Sequence, residues 1–218
     1  MDVEIWSDIA CPWCYIGKRR FEAALGQFEH RDDVKVTWRS FELDPAAPHE
    51  RTGDRAERLA EKYGMTVEQA REAEQHLTGV AASEDLPFRF DIARGGTTFD
   101  GHRLVHLAET HGLQGEMKER LLRAYFTEGE LMSDRDTLIR LASEVGLDEQ
   151  EVREMLSGGR YANDVRADEQ TAGELGISAV PTFVVDRKLG ASGAQPPEAL
   201  LDLLRQGWAK RRPASTLG

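Results

Sequence analysis

Both cysteines of this 218-residue chain lie in one stretch, Trp6-Ser7-Asp8-Ile9-Ala10-Cys11-Pro12-Trp13-Cys14-Tyr15. An alternating run from Val3 to Trp6 predicts a strand before the pair, and a helical pattern from Tyr15 to Phe28 follows it. A Cys-x-x-Cys between a strand and a helix is typical of a redox-active pair. The stretch therefore predicts thiol–disulfide chemistry.

The start of the predicted helix gives the two cysteines different roles. Cys11 falls at the N-cap, and Pro12 takes the first helical position, where a missing N–H costs nothing. Unpaired N–H groups and the helix dipole favour a thiolate there, which predicts a lowered pKa for Cys11. Cys14, one turn later, is expected to be more buried and to resolve a mixed disulfide formed by Cys11.

Other uses of the pair stay open. A zinc site needs further ligands at suitable spacing, and no histidine lies near the two cysteines, so no metal is expected. A structural disulfide closing so short a loop would remove little chain entropy. Inert thiols are the remaining alternative.

A second motif, Gly176-Ile177-Ser178-Ala179-Val180-Pro181-Thr182-Phe183-Val184-Val185-Asp186, places a proline at the start of a predicted strand. An ordinary trans proline is one interpretation. Cys-Pro-Trp-Cys early and Val-Pro-Thr-Phe late in one chain nevertheless resemble the thioredoxin superfamily. The resemblance implies that Pro181 is cis and faces the cysteines, and that Val180 offers its backbone to an extended substrate.

Composition limits the classes of partner. Hydrophobic residues make up 40% and charged residues 31%, as expected for a globular chain. The formal net charge of −11 argues against nucleic acid or an anionic membrane as partner. No leader precedes Val3 and no apolar stretch approaches the roughly 20 residues of a membrane span. We therefore expect a cytoplasmic protein, where a cysteine pair is catalytic or redox-sensing.

The order of predicted elements indicates an α/β protein. The predicted strands are residues 2–7, 34–41, 181–186 and 189–194. A helix over residues 12–30 joins the first two as a βαβ unit, so these strands are expected to be parallel. A last helix begins at Pro196-Pro197-Glu198, and the tail from Pro213 is expected to be frayed.

The middle of the chain, from Asp54 to about Leu175, has a helical pattern. Its predicted starts pair Thr66 with Gln69, Ser133 with Asp136 and Asp148 with Glu151, and its predicted stops include Gly129 and Gly146. We predict a thioredoxin fold interrupted by a large all-helical insertion. The thioredoxin-like domain is residues 1–50 and 176–218, and the helical insertion domain is residues 51–175.

This arrangement resembles the DsbA-like thiol–disulfide oxidoreductases. The segment Phe99-Asp-Gly-His-Arg-Leu-Val-His-Leu-Ala108 is similar to their FrnE-like branch. Classical DsbA proteins have Cys-Pro-His-Cys, and here Trp13 stands in place of the histidine, so strong oxidising power is not implied. Pro12, Trp13, Val180 and Pro181 are expected to shape the active site, with the Trp13 ring exposed.

Three further polar residues are candidates. His102 and His106 share a helix face, but no His-Glu-x-x-His pattern is present, so a solvated or capping role is the first expectation. The resemblance makes His102 a possible substrate or thiol contact. Asp8 is expected to satisfy loop N–H groups, and its charge would oppose a nearby thiolate. Trp6 and Trp38 fit packing within the strands.

Three functions are weighed. The first is a thiol–disulfide oxidoreductase acting through Cys11 and Cys14 on thiol- or disulfide-containing proteins or small molecules, with no cofactor other than glutathione as reductant or co-substrate. The second is a glutathione-dependent isomerase or transferase, similar to hydroxychromene-carboxylate isomerases and kappa-class transferases, which have Ser at the position of Cys11 and no Cys at 14. The third is a binding or chaperone module with a vestigial thiol pair.

Overall fold

The computed structural model describes residues 1–211, so the tail predicted to fray from Pro213 lies outside it. Its sheet has four strands: β1 Asp2–Ser7, β2 Lys35–Ser40, β3 Thr182–Val185 and β4 Leu189–Ser192. The strand order is β2-β1-β3-β4. β1 and β2 pair in parallel, and β3 pairs antiparallel with both β1 and β4. The predicted parallel βαβ unit is confirmed.

Nine α-helices lie in the described residues: α1 Pro12–Gln27, α2 Arg55–Tyr63, α3 Val67–Ala82, α4 Phe99–Thr110, α5 Gln114–Arg123, α6 Arg135–Val145, α7 Glu149–Ser157, α8 Ala162–Glu174 and α9 Pro197–Arg211. Helices α2 to α8 all fall between β2 and β3. The α/β class with a helical insertion is therefore confirmed. Within residues 1–211, no helix combines the length and the apolar character required to cross a bilayer.

Helix ends follow local side-chain chemistry. Thr66 and Gln69 form the predicted reciprocal capping box, and Asp148 caps α7 by accepting from the Glu151 N–H. Gly129 and Gly146 both end their helical segments in the left-handed conformation, which glycine adopts without steric cost.

One predicted cap is wrong. Asp134, not Ser133, caps α6, because its carboxylate reaches the Thr137 N–H at 2.9 Å. The Ser133 hydroxyl instead donates to the His49 carbonyl. Helix α5 continues at Ala124–Glu128 as a π-helical turn before the predicted stop at Gly129.

The sheet and the insertion share a core. One buried cluster contains Val3 and Ile5 of β1 together with Leu104 of α4, Leu121 of α5 and Phe126. Burying one such side chain contributes about 1.5–3 kcal/mol relative to leaving it in water. This packing fixes α4 and α5 against the sheet, and the division into two domains stays a prediction.

Candidate active site

The two cysteines lie at the start of α1, shortly after the end of β1. Cys11 is the N-cap residue of α1, with extended backbone and no side-chain capping bond, and Pro12 follows in the first turn. Both cysteines are free thiols; Cys11 is 4% exposed and Cys14 is fully buried. The predicted order of accessibility is therefore present, although Cys11 is itself largely covered.

Pro181 closes the other side of the pair. The Val180–Pro181 peptide bond is cis, and the Cys11 thiol donates to the Val180 carbonyl with the sulfur 3.6 Å from the oxygen. Gly17 of α1 permits this approach, since a Cβ there would lie 2.8 Å from Pro181 Cγ. The structure thus brings together Cys11, Val180 and Pro181 from the two ends of the chain.

The predicted direction of the Cys11 pKa is wrong in this structure. Hydrogen bonding with Cys14, burial and the charge of Cys14 all raise the pKa of the Cys11 thiol, and the Asp8 carboxylate adds to the rise. A helix N-terminus favours a thiolate, but here the sulfurs face each other out of water. The helix N-terminus alone predicts a lowered pKa, and the contact with Cys14 together with burial reverses that direction.

Asp8 lies at the centre of a buried group with Thr98 and His102, named here the Asp8 cluster. Asp8 Oδ1 accepts from the Thr98 hydroxyl at 2.8 Å and lies 3.3 Å from His102 Nε2. The N–H groups of Ala10 and Leu43 also donate to this carboxylate, which confirms the expectation that Asp8 satisfies loop N–H groups.

Burial and hydrogen bonding act in opposite directions on the Asp8 cluster. Burial tends to raise the pKa of Asp8, but the bonds from His102, Leu43 and Thr98 outweigh it and leave the pKa lowered. Burial lowers the pKa of His102, against the opposing effect of Asp8. His102 is 1% exposed, so a solvated role is excluded and its ring faces the cysteine loop.

His106, one turn along α4, has different partners. Its Nε2 lies 3.1 Å from both the Ser40 hydroxyl and Asp168 Oδ2, forming what is named here the Asp168 cluster. The two histidines therefore do not converge on one point. No group of three or more His, Cys, Asp or Glu suited to a metal ion occurs in the part of the chain that the structure describes.

Lys118 of α5 is the residue that sequence reasoning missed. It is 1% exposed and its Nζ donates to the Ser7 carbonyl at 3.1 Å. Burial lowers its pKa to about 8, against the opposing charges of Cys14, Asp8 and Cys11. The available signal was a lysine three residues before Leu121, on the apolar face of α5.

Trp6, Trp13 and Trp38 behave as predicted. Trp6 and Trp38 are buried in β1 and β2, whereas Trp13 is 40% exposed beside the cysteines. Leu43, whose N–H binds Asp8, is similarly exposed at 43%. An apolar surface therefore lies next to the thiol pair.

Comparison with known proteins identifies the family of this chain. Residues 2–205 match the family described as a DSBA-like thioredoxin domain. The chain belongs to this family.

Solved structures agree with this assignment. A probable DsbA oxidoreductase, SCO1869 from Streptomyces coelicolor, is 46% identical with a TM-score of 0.93, the match covering 100% of this chain and 94% of that one. The cytosolic disulfide reductase DsbM from Pseudomonas aeruginosa, also solved with GSH, is 20% identical with a TM-score of 0.67, covering 96% and 100%. A 2-hydroxychromene-2-carboxylate isomerase is 14% identical with a TM-score of 0.68, covering 97% and 96%. The last two share the fold alone.

Proposed function

We propose that this member of the DSBA-like family is a thiol–disulfide oxidoreductase that exchanges a Cys11–Cys14 disulfide with substrate thiols through a mixed disulfide. The observation that carries the proposal is the placement of Cys11 at the N-terminus of α1, beside the carbonyl of Val180 and in front of the fully buried Cys14. Cys11 is then the sulfur that exchanges with substrate, and Cys14 is the one that resolves.

The exchange moves two electrons in two displacements. A substrate thiolate attacks Cys11 Sγ, the Cys11–Cys14 bond breaks, and its electron pair leaves on Cys14. A second substrate thiolate attacks the substrate sulfur of the mixed disulfide and expels Cys11, which leaves a dithiol and a substrate disulfide. In the opposite direction Cys11 attacks a substrate disulfide and Cys14 resolves it.

The electrostatics support a moderate rather than a strong oxidant. A strongly oxidising pair owes its potential to a reduced form stabilised by a low thiolate pKa. Burial, the neighbouring sulfur and Asp8 raise the pKa of Cys11, which withholds that stabilisation. We therefore place the physiological direction towards reduction or isomerisation of disulfides.

We further propose a substrate class, a reductant and a location. Trp13, Pro12 and Val180 form the surface that a disulfide-containing peptide or small molecule would meet. Glutathione is the reductant that we propose, and the cytoplasm is the proposed location; DsbM, which shares the fold, is a cytosolic disulfide reductase solved with GSH. Membership of the FrnE-like branch stays a prediction from the Phe99–Ala108 segment.

The first test is reduction of insulin by dithiothreitol. Wild type is expected to accelerate it, and Cys11→Ser is expected to abolish the acceleration. Cys14→Ser is expected to trap a mixed disulfide on Cys11, visible by mass spectrometry. Equal acceleration by all three proteins would contradict the proposal and favour the chaperone alternative.

The second test sets the direction of electron flow and separates the isomerase alternative. Equilibration with a glutathione buffer is expected to give a potential nearer to about −270 mV, as in thioredoxin, than to about −120 mV, as in DsbA. Turnover of a glutathione conjugate that persists in the Cys11→Ser/Cys14→Ser variant would favour an isomerase or transferase, since those enzymes need neither sulfur.

A further inference from the structure

Lys118 is a buried cation without a carboxylate partner. No Asp or Glu oxygen in residues 1–211 lies within 4 Å of its Nζ, and its one hydrogen bond is to the Ser7 carbonyl. Its nearest aromatic ring, that of Trp38, has its centroid 5.9 Å away. Burying an unpaired ammonium is costly. Because this ammonium lies close to the thiol pair, a thiolate formed there during exchange would compensate its charge.

Helix α5 is attached on both sides of the cysteine loop. The Lys118 ammonium binds the carbonyl of Ser7, the last residue of β1, and the neighbouring Glu119 carboxylate accepts from the Tyr15 hydroxyl at 2.7 Å. Tyr15 directly follows Cys14. These two bonds attach α5 to Ser7 and Tyr15, the residues on either side of the segment that contains both cysteines.

A second buried lysine provides the contrast. Lys18 of α1 is 4% exposed, and its ammonium pairs with Glu22 at 2.5 Å and with Glu119 at 2.7 Å. Its charge is therefore already compensated. Lys118 has no such compensation, and the charge that acts on it most strongly is that of Cys14.

We propose that Lys118 is the cation that stabilises the Cys14 thiolate during exchange, an inference that rests on the proposed oxidoreductase function. When a thiolate attacks Cys11, the broken S–S bond leaves its electron pair on a sulfur that water does not reach. A fixed ammonium stabilises this charge without a proton having to enter the site. In the opposite direction, when Cys11 has attacked a substrate disulfide, the same thiolate attacks Cys11 Sγ of the mixed disulfide and expels the substrate sulfur.

Several charged or titratable groups face this ammonium, and they set the balance of its effect. They are Cys14 and Lys18 on α1, Asp8 and the N-cap residue Cys11 before it, and His102 on α4. Asp8 is an anion close to the thiols and opposes a thiolate. Lys118 offsets Asp8, and without it two negative charges would meet in the same buried space.

The test compares Lys118→Met with Lys18→Met. In Lys118→Met the rate at which Cys14 resolves a glutathione mixed disulfide on Cys11, followed by acid quench and mass spectrometry, is expected to fall about 10-fold or more at pH 7. The pH at which this resolution rate reaches half of its maximum is expected to rise by about one unit in Lys118→Met. Lys118→Arg, which keeps the charge, is expected to recover most of the rate, and Lys18→Met is expected to change it less than about 2-fold.

Two further measurements keep the inference falsifiable. In a Cys14→Ser background, Lys118→Met is expected to change alkylation of Cys11 by less than about 2-fold, because the ammonium acts on Cys14. A loss of about 10-fold in Cys11 alkylation in the Cys14→Ser background would overturn the inference. Equal resolution rates in Lys118→Met and Lys18→Met would also overturn it. The thiolate absorbance of Cys14 at about 240 nm, followed against pH in a Cys11→Ser background, also reports on Lys118 if the insulin assay fails, because no reagent has to reach the buried sulfur. An unchanged Cys14 profile in Lys118→Met would reject the inference by itself.

Discussion

Helix α4 carries two similar buried clusters one turn apart. In the Asp8 cluster His102 and the Thr98 hydroxyl contact a carboxylate that is 2% exposed. In the Asp168 cluster His106 contacts both the Ser40 hydroxyl and a carboxylate that is 5% exposed. Two histidines of one helix therefore each contact a buried aspartate and lie in a cluster that contains a hydroxyl.

The clusters differ in how the carboxylate charge is balanced. Asp168 lies 3.2 Å from an Arg39 guanidinium nitrogen and accepts the Ser40 N–H at 2.9 Å. Asp8 has no arginine or lysine within 4 Å in the described chain; hydrogen bonds hold it, and the charge of Lys118 acts on it only from farther away. The ion pair with Arg39 neutralises the carboxylate of the Asp168 cluster, whose role is therefore structural. In the Asp8 cluster the negative charge of Asp8 acts on the Cys11 thiol and raises its pKa.

The largest expected effect is from Asp8→Ala. It leaves the Ala10 and Leu43 N–H groups and the Thr98 hydroxyl without their acceptor, so the free energy of unfolding is expected to fall by about 3 kcal/mol or more. Urea denaturation of the reduced protein at pH 7 measures this change.

Asp168→Ala is the matched control for this loss. It is expected to cost less, because Arg39 keeps its contact with Glu4 at 2.8 Å and Ser40 keeps His106. It is also expected to leave the rate of Cys11 alkylation unchanged. A larger stability loss in Asp168→Ala than in Asp8→Ala would reverse the comparison.

A smaller effect is expected from Thr98→Val, which removes one hydroxyl and keeps the branched shape. The Thr98 bond is one of those that lower the pKa of Asp8, so its loss lets burial raise that pKa. A lowered carboxyl pKa gives stability that is present above the unfolded value of about 3.9 and is lost as pH falls through the folded value. Acid unfolding of Thr98→Val is therefore expected at higher pH, by roughly half a unit to one unit, as followed by circular dichroism.

Ser40→Ala is the corresponding change in the Asp168 cluster. The Ser40 hydroxyl contacts His106, while Asp168 keeps both Arg39 and the Ser40 backbone N–H. Its acid unfolding is expected to stay close to that of wild type. Equal shifts in Thr98→Val and Ser40→Ala would show that the two carboxylates are held alike.

The backbone of the site was predictable because local chemistry determines it. Cys11 and Pro12 start α1 as predicted, and the motif with Pro181 meets Cys11 at the start of β3, the strand paired with β1. The cap of α6 was mispredicted because Ser133 and Asp134 are adjacent, and both residue types are good caps. Only the backbone geometry decides between two such neighbours.

The polar surroundings of the thiols were not predictable from local pattern. Thr98 binds Asp8, which lies 90 residues earlier in the chain. Lys118 binds Ser7, which lies 111 residues earlier. Sequence spacing carries no record of such distant pairing. The wrong direction for the Cys11 pKa has a related origin, since the pKa depends on the hydrogen bond with Cys14 and on burial, and the local pattern shows neither.

The smallest expected effect concerns Glu42, a carboxylate that has no histidine partner. Among residues 1–211 its buried Oε1 has no hydrogen-bond partner, and burial raises its pKa to about 7 despite an ion pair with Arg166. A raised carboxyl pKa gives stability that is fully present below the unfolded value and is lost as pH rises through the folded value. Glu42→Gln lacks this loss, so it is expected to be more stable than wild type by about 1 kcal/mol above pH 7, and the gain is expected to shrink towards pH 5.

Glu119→Gln is the control with the opposite sign. Although burial opposes it, contacts with Arg19, Lys18 and Tyr15 lower the pKa of Glu119 to about 2. Its charge therefore stabilises the fold above the unfolded value, and Glu119→Gln is expected to lose stability at pH 7, where Glu42→Gln gains it. Urea denaturation between pH 5 and 8 measures both variants. If Glu42→Gln lost stability as pH rose, the Arg166 ion pair would outweigh burial, and Glu42 would belong with Asp168 as a neutralised carboxylate.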